Sequence, residues 1–426
     1  MPDGSATAHL YRPKLATALS EGYGFDRLRK DMLAALTVAI VALPLSMAIA
    51  VASGVAPARG LYAAIVGGAI VSALGGSRYQ IGGPAGAFIL LVAATVARFG
   101  VEDLLLTVMM SGLMLTLLGV LRLGSLIRHI PQAVTVGFTA GIAAVILASQ
   151  LKDLGGLTLA GPEPGSLFPK LAALARALPS FNVSALLLGV ATAGSIFAVN
   201  RLRASWPGML LAVVAASAAT FLFHLPVETI GTRFGALPHG LPMPHLPHFT
   251  WRHLLPLLPA AFSFTLLGGI ESLLSAKVAD GMTGRKHRSN MELVAQGIAN
   301  VVSALFGGIS VTGTIARTAT NIRAGASSPL AGIMHSVFLL LFLLVAAPLA
   351  GFVPLSALAG VLVVVAWNMV EKEEFGRLLR DWRSAAVLLT TLGLTLVRDL
   401  TTGIIAGCVL AACFALVKRF RSHVRD

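Results

Sequence analysis

Two short stretches decide how this chain folds: Ile81-Gly82-Gly83-Pro84-Ala85-Gly86-Ala87 and Gly307-Gly308-Ile309-Ser310-Val311-Thr312-Gly313-Thr314. Each opens an apolar run, yet each places Gly, Pro or Thr where a continuous membrane helix would place Leu. Both predict a short extended segment followed by a half-length helix. The double glycines lie 225 residues apart. Pro131 and Pro354, which open two other apolar runs where a helix tolerates proline, lie 223 apart. A similar offset at two independent places predicts two copies of one unit.

Of the 426 residues 56% are apolar and only 12% are charged, about half the usual share. Mean hydropathy is +0.84. A soluble core cannot absorb that much apolar surface, so disorder, a disulfide-stapled module and a soluble enzyme are excluded in favour of an integral membrane protein. A span takes about 20 residues. Charge-free runs place spans at 32–58, 60–77, 79–97, 104–121, 130–151, 177–200, 204–226 and 254–275. Residues 293–316 hold a ninth and the start of a tenth. The 47 residues 324–370, broken near Gly351 and Pro354, hold two more, and 385–397 and 401–417 close the set. The prediction is an all-α polytopic membrane protein with fourteen transmembrane segments. Seven is odd, so two seven-span repeats are inverted relative to each other, with half-helices at spans three and ten. Residues 1–30 read as a cytoplasmic N-terminal segment, 31–420 as the transmembrane domain and 421–426 as a cytoplasmic tail.

The net charge of +14 follows from this topology. With the N-terminus inside, 23 Lys and Arg fall on the inner side, Arg128 and Arg425 among them. Eight fall outside, and one, Arg317, falls inside a span. A bias near three to one is the positive-inside signal. It places both termini in the cytoplasm of a bacterial-type inner membrane. No basic stripe carries interleaved aromatics, so nucleic acid is not a partner. Cys408 and Cys413 read as reduced packing residues. The proline-rich segment 225–251, with His239, His245 and His248, has no clean ligand spacing and reads as an extended surface loop rather than a metal site. Residues 372–383 predict a short amphipathic helix on the inner surface. No acid–base pair or nucleophile motif marks an enzyme, and no cofactor is implied.

Inverted repeats with interrupted helices in matching positions point to a secondary transporter, with its site where the two breaks meet. A half-helix N-terminus exposes unpaired N–H groups and carries about +0.5 charge, which favours an anion. Arg317 lies near the start of span ten. It either supplies field to the substrate or locks the structure by pairing with a carboxylate or helix carbonyls. Thr312 and Thr314 supply hydroxyls to a ligand or cap the helix. Glu271, read as the one acidic residue deep in the bundle, either balances Arg317 or couples transport to a proton or cation. Ser272 and Ser275 lie nearby, and Ser275 offers a hydroxyl for Na⁺.

The run Val41-Ala42-Leu43-Pro44-Leu45-Ser46-Met47-Ala48-Ile49-Ala50, with Gly60-Leu61-Tyr62, Gly75-Gly76-Ser77-Arg78 and Gly82-Gly83-Pro84, resembles the sulfate permease (SulP) family of anion transporters. So do Glu271-Ser272-Leu273-Leu274, Val278-Ala279-Asp280, Gly307-Gly308-Ile309 and Thr314-Ile315-Ala316-Arg317-Thr318-Ala319-Thr320-Asn321 with Arg323-Ala324-Gly325-Ala326. The resemblance runs from about Phe25 to Arg421. It implies a core of spans 1–4 and 8–11 moving like an elevator against a scaffold of 5–7 and 12–14, commonly in a homodimer. It places the anion at Pro84, Ala85 and Gly86 and at Thr312, Gly313, Thr314, Ile315, Ala316 and Arg317, with Leu45 and Ile49 on span one. Glu271 and Ser275 stand on span eight for a coupling H⁺ or Na⁺. Animal relatives often carry Gln at the position of Leu45 and aromatics at those of Ile49 and Ala85. The smaller or aliphatic side chains here imply a wider pocket suited to sulfate, bicarbonate or a C4-dicarboxylate. Relatives usually continue into a cytoplasmic STAS domain; this sequence stops at Asp426, just after a basic cluster, which implies either a truncated chain or a naturally short member with the STAS domain absent. The alternatives are a passive anion channel and a nucleobase permease of the same fold. The latter has Glu near the start of span ten, where this chain has Ser310, Thr312 and Thr314.

Overall fold

Backbone in hydrocarbon finds no water to bond, so it must satisfy itself, and helices do this within one segment. The charge-free runs accordingly become helices. The computed structural model describes residues 11–124, 131–161, 163–164, 167–203, 206–247, 251–398 and 400–423. Arg128, Ile130, His248, Arg425, the first ten residues of the predicted N-terminal segment and the last three of the predicted tail lie outside the described residues.

Helix α1 is Phe25–Ala52 and α2 is Pro57–Leu74, the latter with a π-turn at Ala63–Gly67. The helix Ile89–Val120 bends at Gly100 (φ 88°, ψ 178°), a conformation that only glycine adopts without strain, into α3 (89–99) and α4 (101–120). Then come α5 (Gln132–Leu154), α6 (Val183–Leu202), α7 (Gly208–Leu222), α8 (Trp251–Thr283), α9 (Ser289–Leu305), α10 (Ile315–Arg323), α11 (Leu330–Val345), α12 (Leu355–Met369), α13 (Trp382–Val397) and α14 (Leu400–His423). Among the described residues seven helices are long and apolar enough to cross a membrane, and four shorter ones are as apolar. Pro131 and Pro354 sit at the N-caps of α5 and α12.

Packing divides the helices. Helix α9 lies along α3–α4, α8 packs on α4 and α10, and α11 packs on α1 and α2. On the other side α5 packs on α12 and α13, α6 on α7 and α12, and α13 on α14. Helix α1 meets α12 and α7 across the seam between these groups. A two-stranded antiparallel ladder joins β1 (Gly82–Gly83) to β2 (Thr312–Gly313), pairing Gly82 with Gly313 and Gly83 with Thr312.

Several expectations change. Gly307-Gly308 does not open the tenth helix. Gly307 (φ 69°) turns the chain off the end of α9, and the extended segment begins beyond it, so the partners of Gly82-Gly83 are Thr312-Gly313. The 225–251 segment is not simply extended. Thr229 and Thr232 form a capping box on a short helix, Ile230–Phe234, and Thr229 bridges Pro354, which ties the loop to the start of α12. The short helix at 372 ends at Leu378, and α13 begins at Trp382.

Glu271 is also not the sole buried acid: Asp31 and Glu292 are fully buried. Asp31 accepts from Tyr23 Oη and from the backbone N–H and hydroxyl of both Ser327 and Ser328, so it fastens the start of α1 to the loop before α11. Arg78, read as a loop residue, is buried and pairs with Glu21, which docks the N-terminal segment on the bundle. The Arg78 guanidinium holds the Glu21 carboxyl below its usual range. A depressed carboxyl contributes stability that is complete above the unfolded value, about 4.3, and lost as pH falls through the folded one. Limited proteolysis should therefore release the N-terminal segment at pH 3 and not at pH 7, and in Glu21→Gln at both.

Candidate functional site

The site is built on backbone that leaves the helical path inside the bundle. Such backbone is tolerated only when protein or water satisfies it, and here polar side chains of neighbouring helices do so. Asn300 donates to Val311 O (2.8 Å) and accepts from Val311 N (2.9 Å), standing in for a third strand. Ser303 Oγ donates to Ile309 O, Thr318 Oγ1 accepts from Ile81 N, and Asn321 Nδ2 donates to Tyr79 O. Ile81 O accepts from both the N–H and the hydroxyl of Thr314.

The antiparallel ladder sends its two chains out in opposite directions, and a helix begins just after each strand. After β1, Pro84 and Ala85 lead into a 3₁₀ turn, Gly86–Phe88, and then α3. After β2, Thr314 is the N-cap of α10. Both helix N-termini therefore sit at the crossing point, with first-turn N–H groups that have no partner within their own helix.

Arg317 reaches this crossing from its far side. It is 1% exposed; Nη2 donates to Ser46 Oγ of α1 (3.0 Å) and to Pro84 O (3.4 Å), while Nε and Nη1 have no partner. A Cβ on Gly83 would lie 2.2 Å from Nη1, so glycine is what admits the guanidinium. No carboxylate pairs with Arg317 among the described residues. The expectation that Glu271 balances it is thus corrected. Glu271, 9% exposed on α8, has no hydrogen-bond or ion-pair partner among the described residues.

The predicted site residues come together, with different tasks. Thr312 Oγ1 donates to Gly268 O of α8, and Thr314 Oγ1 donates across the ladder. Neither hydroxyl caps α10: Thr314, at the N-cap position, accepts from no first-turn N–H. Leu45 and Ile49 are buried on α1. Gly86 faces Ile146 of α5 and Val365 and Met369 of α12, the nearest of them 3.6 Å from where its Cβ would be. Ile315 and Ala316 fill the first turn of α10 beside Arg317. Ser275 Oγ donates to Thr318 Oγ1, so its hydroxyl hydrogen is already engaged.

Four supporting residues escaped the sequence reading: Gln80, Glu292, Gln296 and Asn300. Gln80 Nε2 donates to Ser272 Oγ and to Glu292 Oε1, both at 2.9 Å, and Glu292 Oε2 accepts from Ser77 N. A Cβ on Gly313 would fall 1.7 Å from Gln80 Nε2, so this network presses directly on the ladder. The signal was present as a polar stripe, Glu292, Gln296, Asn300 and Ser303, at helical spacing along α9.

Comparison with known proteins decides the family. The sulfate permease family model matches residues 28–391. This chain belongs to the sulfate permease family. It is 43% identical over 407 residues, 95% of its own length and 76% of the other's, to a putative sulfate transporter, YvdB, of Bacillus subtilis. It is 31% identical to the bicarbonate transporter BicA of Synechocystis sp., over 91% of this chain and 69% of that one. The solved transmembrane domain of a cyanobacterial BicA superposes with a TM-score of 0.81 at 31% identity, covering 90% of this chain and 98% of that one. Murine Slc26a9, an anion transporter in the inward-facing state, shares the fold alone: TM-score 0.88, 18% identity, 98% of this chain and 73% of that one. As a sulfate permease family member the chain is a multi-pass anion transporter, and its relatives are transporters rather than enzymes.

Proposed function

We propose that this protein is a secondary active transporter of small oxyanions, of the sulfate, bicarbonate or C4-dicarboxylate class, driven by a coupling H⁺ or Na⁺. The observation that carries the reading is the crossing: two helix N-termini meet at one ladder, backed by a buried arginine with two unpaired nitrogens. An uncompensated cation inside a bundle is costly, and an arriving anion offsets that cost. Arg317 acts through its field, its guanidinium being held against Gly83 and bonded to Pro84 O and Ser46 Oγ. The anion sits at Pro84–Gly86 and Thr314–Arg317, against Leu45 and Ile49.

The fourteen helices α1–α14 form two inverted repeats. The antiparallel ladder and the paired proline N-caps at 131 and 354 support this. The core is spans 1–4 and 8–11, the scaffold spans 5–7 and 12–14, with both termini cytoplasmic. The segregated packing and the apolar contact of Gly86 with Ile146, Val365 and Met369 suit a core that slides along the scaffold, in a protein that pairs as a homodimer. Glu271, unpaired and close to the extended segment through its neighbour Ser272, carries the coupling proton, and Ser275 belongs to the same helix face.

Counterflow in proteoliposomes with labelled sulfate, bicarbonate, fumarate, chloride and uracil tests this. Exchange of an oxyanion, driven uphill by a pH or Na⁺ gradient, is expected. Gradient-independent flux would make the protein a passive anion channel, and uracil exchange alone would make it a nucleobase permease. In Glu271→Gln, uphill uptake driven by the proton gradient should vanish while counterflow persists. Retained proton-driven uptake would remove Glu271 from coupling.

A further inference from the structure

A cavity of about 530 Å³ lies away from the crossing, at the end of the bundle opposite the start of α1. One wall is the last turn of α1 and one face of α3. The other is the last turn of α5 with the segment that follows it. These walls belong to the two packing groups, so the cavity straddles the seam along which the core is proposed to slide. Its apolar floor includes Val51, Ala93 and Ile89, and Ile89 opens the helix whose lead-in, Pro84–Gly86, forms half of the crossing.

The lining charges do not cancel. Lys170, 4% exposed, pairs with Glu163 (2.7 Å) and donates to Ser149, and Arg233 pairs with Asp153 (3.1 Å). Both acids of the lining are thereby used. Arg98 on α3 and Lys152 on α5 stand on opposite walls and form no ion pair among the described residues; Lys152 shares the charge of the adjacent Asp153 with Arg233, so four cations face two acids. Gln150, 2% exposed, lines the cavity with an amide that makes no hydrogen bond among the described residues. A surplus of two positive charges and a buried, unengaged amide around a concave apolar floor form a receptor for a small anion.

We propose that this cavity is an outer capture site, in which Arg98, Lys152 and Gln150 hold an oxyanion before it reaches the crossing. The inference rests on the anion-transport reading above. Charge lining a low-dielectric cleft concentrates counter-ions and raises their rate of arrival, so the site acts on encounter from one side of the membrane. Two cations on facing walls favour a divalent anion over a monovalent one.

The test is uptake kinetics in cells and in proteoliposomes for the full chain, with sulfate, fumarate and bicarbonate as probes. Arg98→Gln/Lys152→Gln should raise the external KM for whichever divalent anion is carried about tenfold, and that for bicarbonate about threefold, with a far smaller effect on the internal KM in efflux. Arg176→Gln, an exposed arginine outside the cavity, should leave the external KM within error. An external KM unchanged in the double variant, or raised equally on both sides, would overturn the capture site. So would an equal rise in Arg176→Gln. A second measurement does not remove any charge: in Ala93→Cys, an anionic methanethiosulfonate added outside should react faster than a cationic one. The reverse order would also overturn the proposal. If wild type carries none of the probes, the anion-transport reading fails instead, and the thiol reactivity still reports on the cavity's charge.

Discussion

Arg317→Met abolishes oxyanion uptake and leaves the protein as stable as wild type, or more stable. The two halves of this expectation have one cause. Arg317 is buried and unpaired by any carboxylate, and its two bonds, to Ser46 Oγ and Pro84 O, leave Nε and Nη1 empty. Such a charge costs the fold several kcal/mol in desolvation. A methionine keeps the unbranched apolar stem and removes that cost, while the place of the guanidinium beside Gly83 is left to repacking. The loss falls on the anion. A unit charge about 6 Å away at an effective dielectric near 20 contributes roughly 3 kcal/mol, about a hundredfold in affinity. A residue kept only for packing would show the opposite pattern: lower stability and intact transport. Thermal unfolding alongside uptake separates the two.

Gly313→Ala is expected to damage both the fold and transport. The new Cβ would stand 1.7 Å from Gln80 Nε2. Gln80 cannot swing clear without cost, because that nitrogen is bound to Ser272 and to the carboxylate of Glu292, itself fully buried. Displacing it strips a buried carboxylate of a donor, which costs upward of about 1–3 kcal/mol, and it disturbs the ladder that aims both helix N-termini. A fall in Tm of about 1–3 °C, with loss of uptake, is expected. Gly86→Ala is the internal control. Its nearest neighbours lie at 3.6 Å, ordinary contact distance, so the variant should fold like wild type. Equal stability of the two alanine variants would show that the Gln80–Glu292 network does not set the ladder.

Much of this was legible in the sequence because membrane physics writes in long runs. Charge-free stretches marked the helices, Pro131 and Pro354 marked two helix starts, and Arg317 stood out as the one basic residue with no loop to occupy. What stayed hidden depends on contacts between distant segments. The register that pairs Gly82 with Gly313 rather than Gly307 is set by Asn300 and Ser303 gripping residues 309–311 from α9, and no local pattern states it. Asp31 and Glu292 sit beside basic residues near the ends of apolar runs, so they read as surface charge. They are buried because the N-terminal segment folds back over the bundle, bringing Tyr23 to Asp31, and because the Ser77–Gln80 turn closes over α9. Arg78 and Lys170 lie between the charge-free runs, yet both are buried: Glu21 of the N-terminal segment reaches Arg78, and Glu163 of the preceding loop folds back on Lys170.

The account turns on whether the crossing holds the anion, and equilibrium binding tests that most directly. Purified protein should be titrated with labelled sulfate, bicarbonate and fumarate in equilibrium dialysis, wild type beside Arg317→Met, with the fold of each verified by thermal unfolding. Saturable binding of at least one oxyanion to wild type, weakened about a hundredfold or lost in the variant, is the predicted result. Binding of equal affinity to a folded Arg317→Met protein would contradict it.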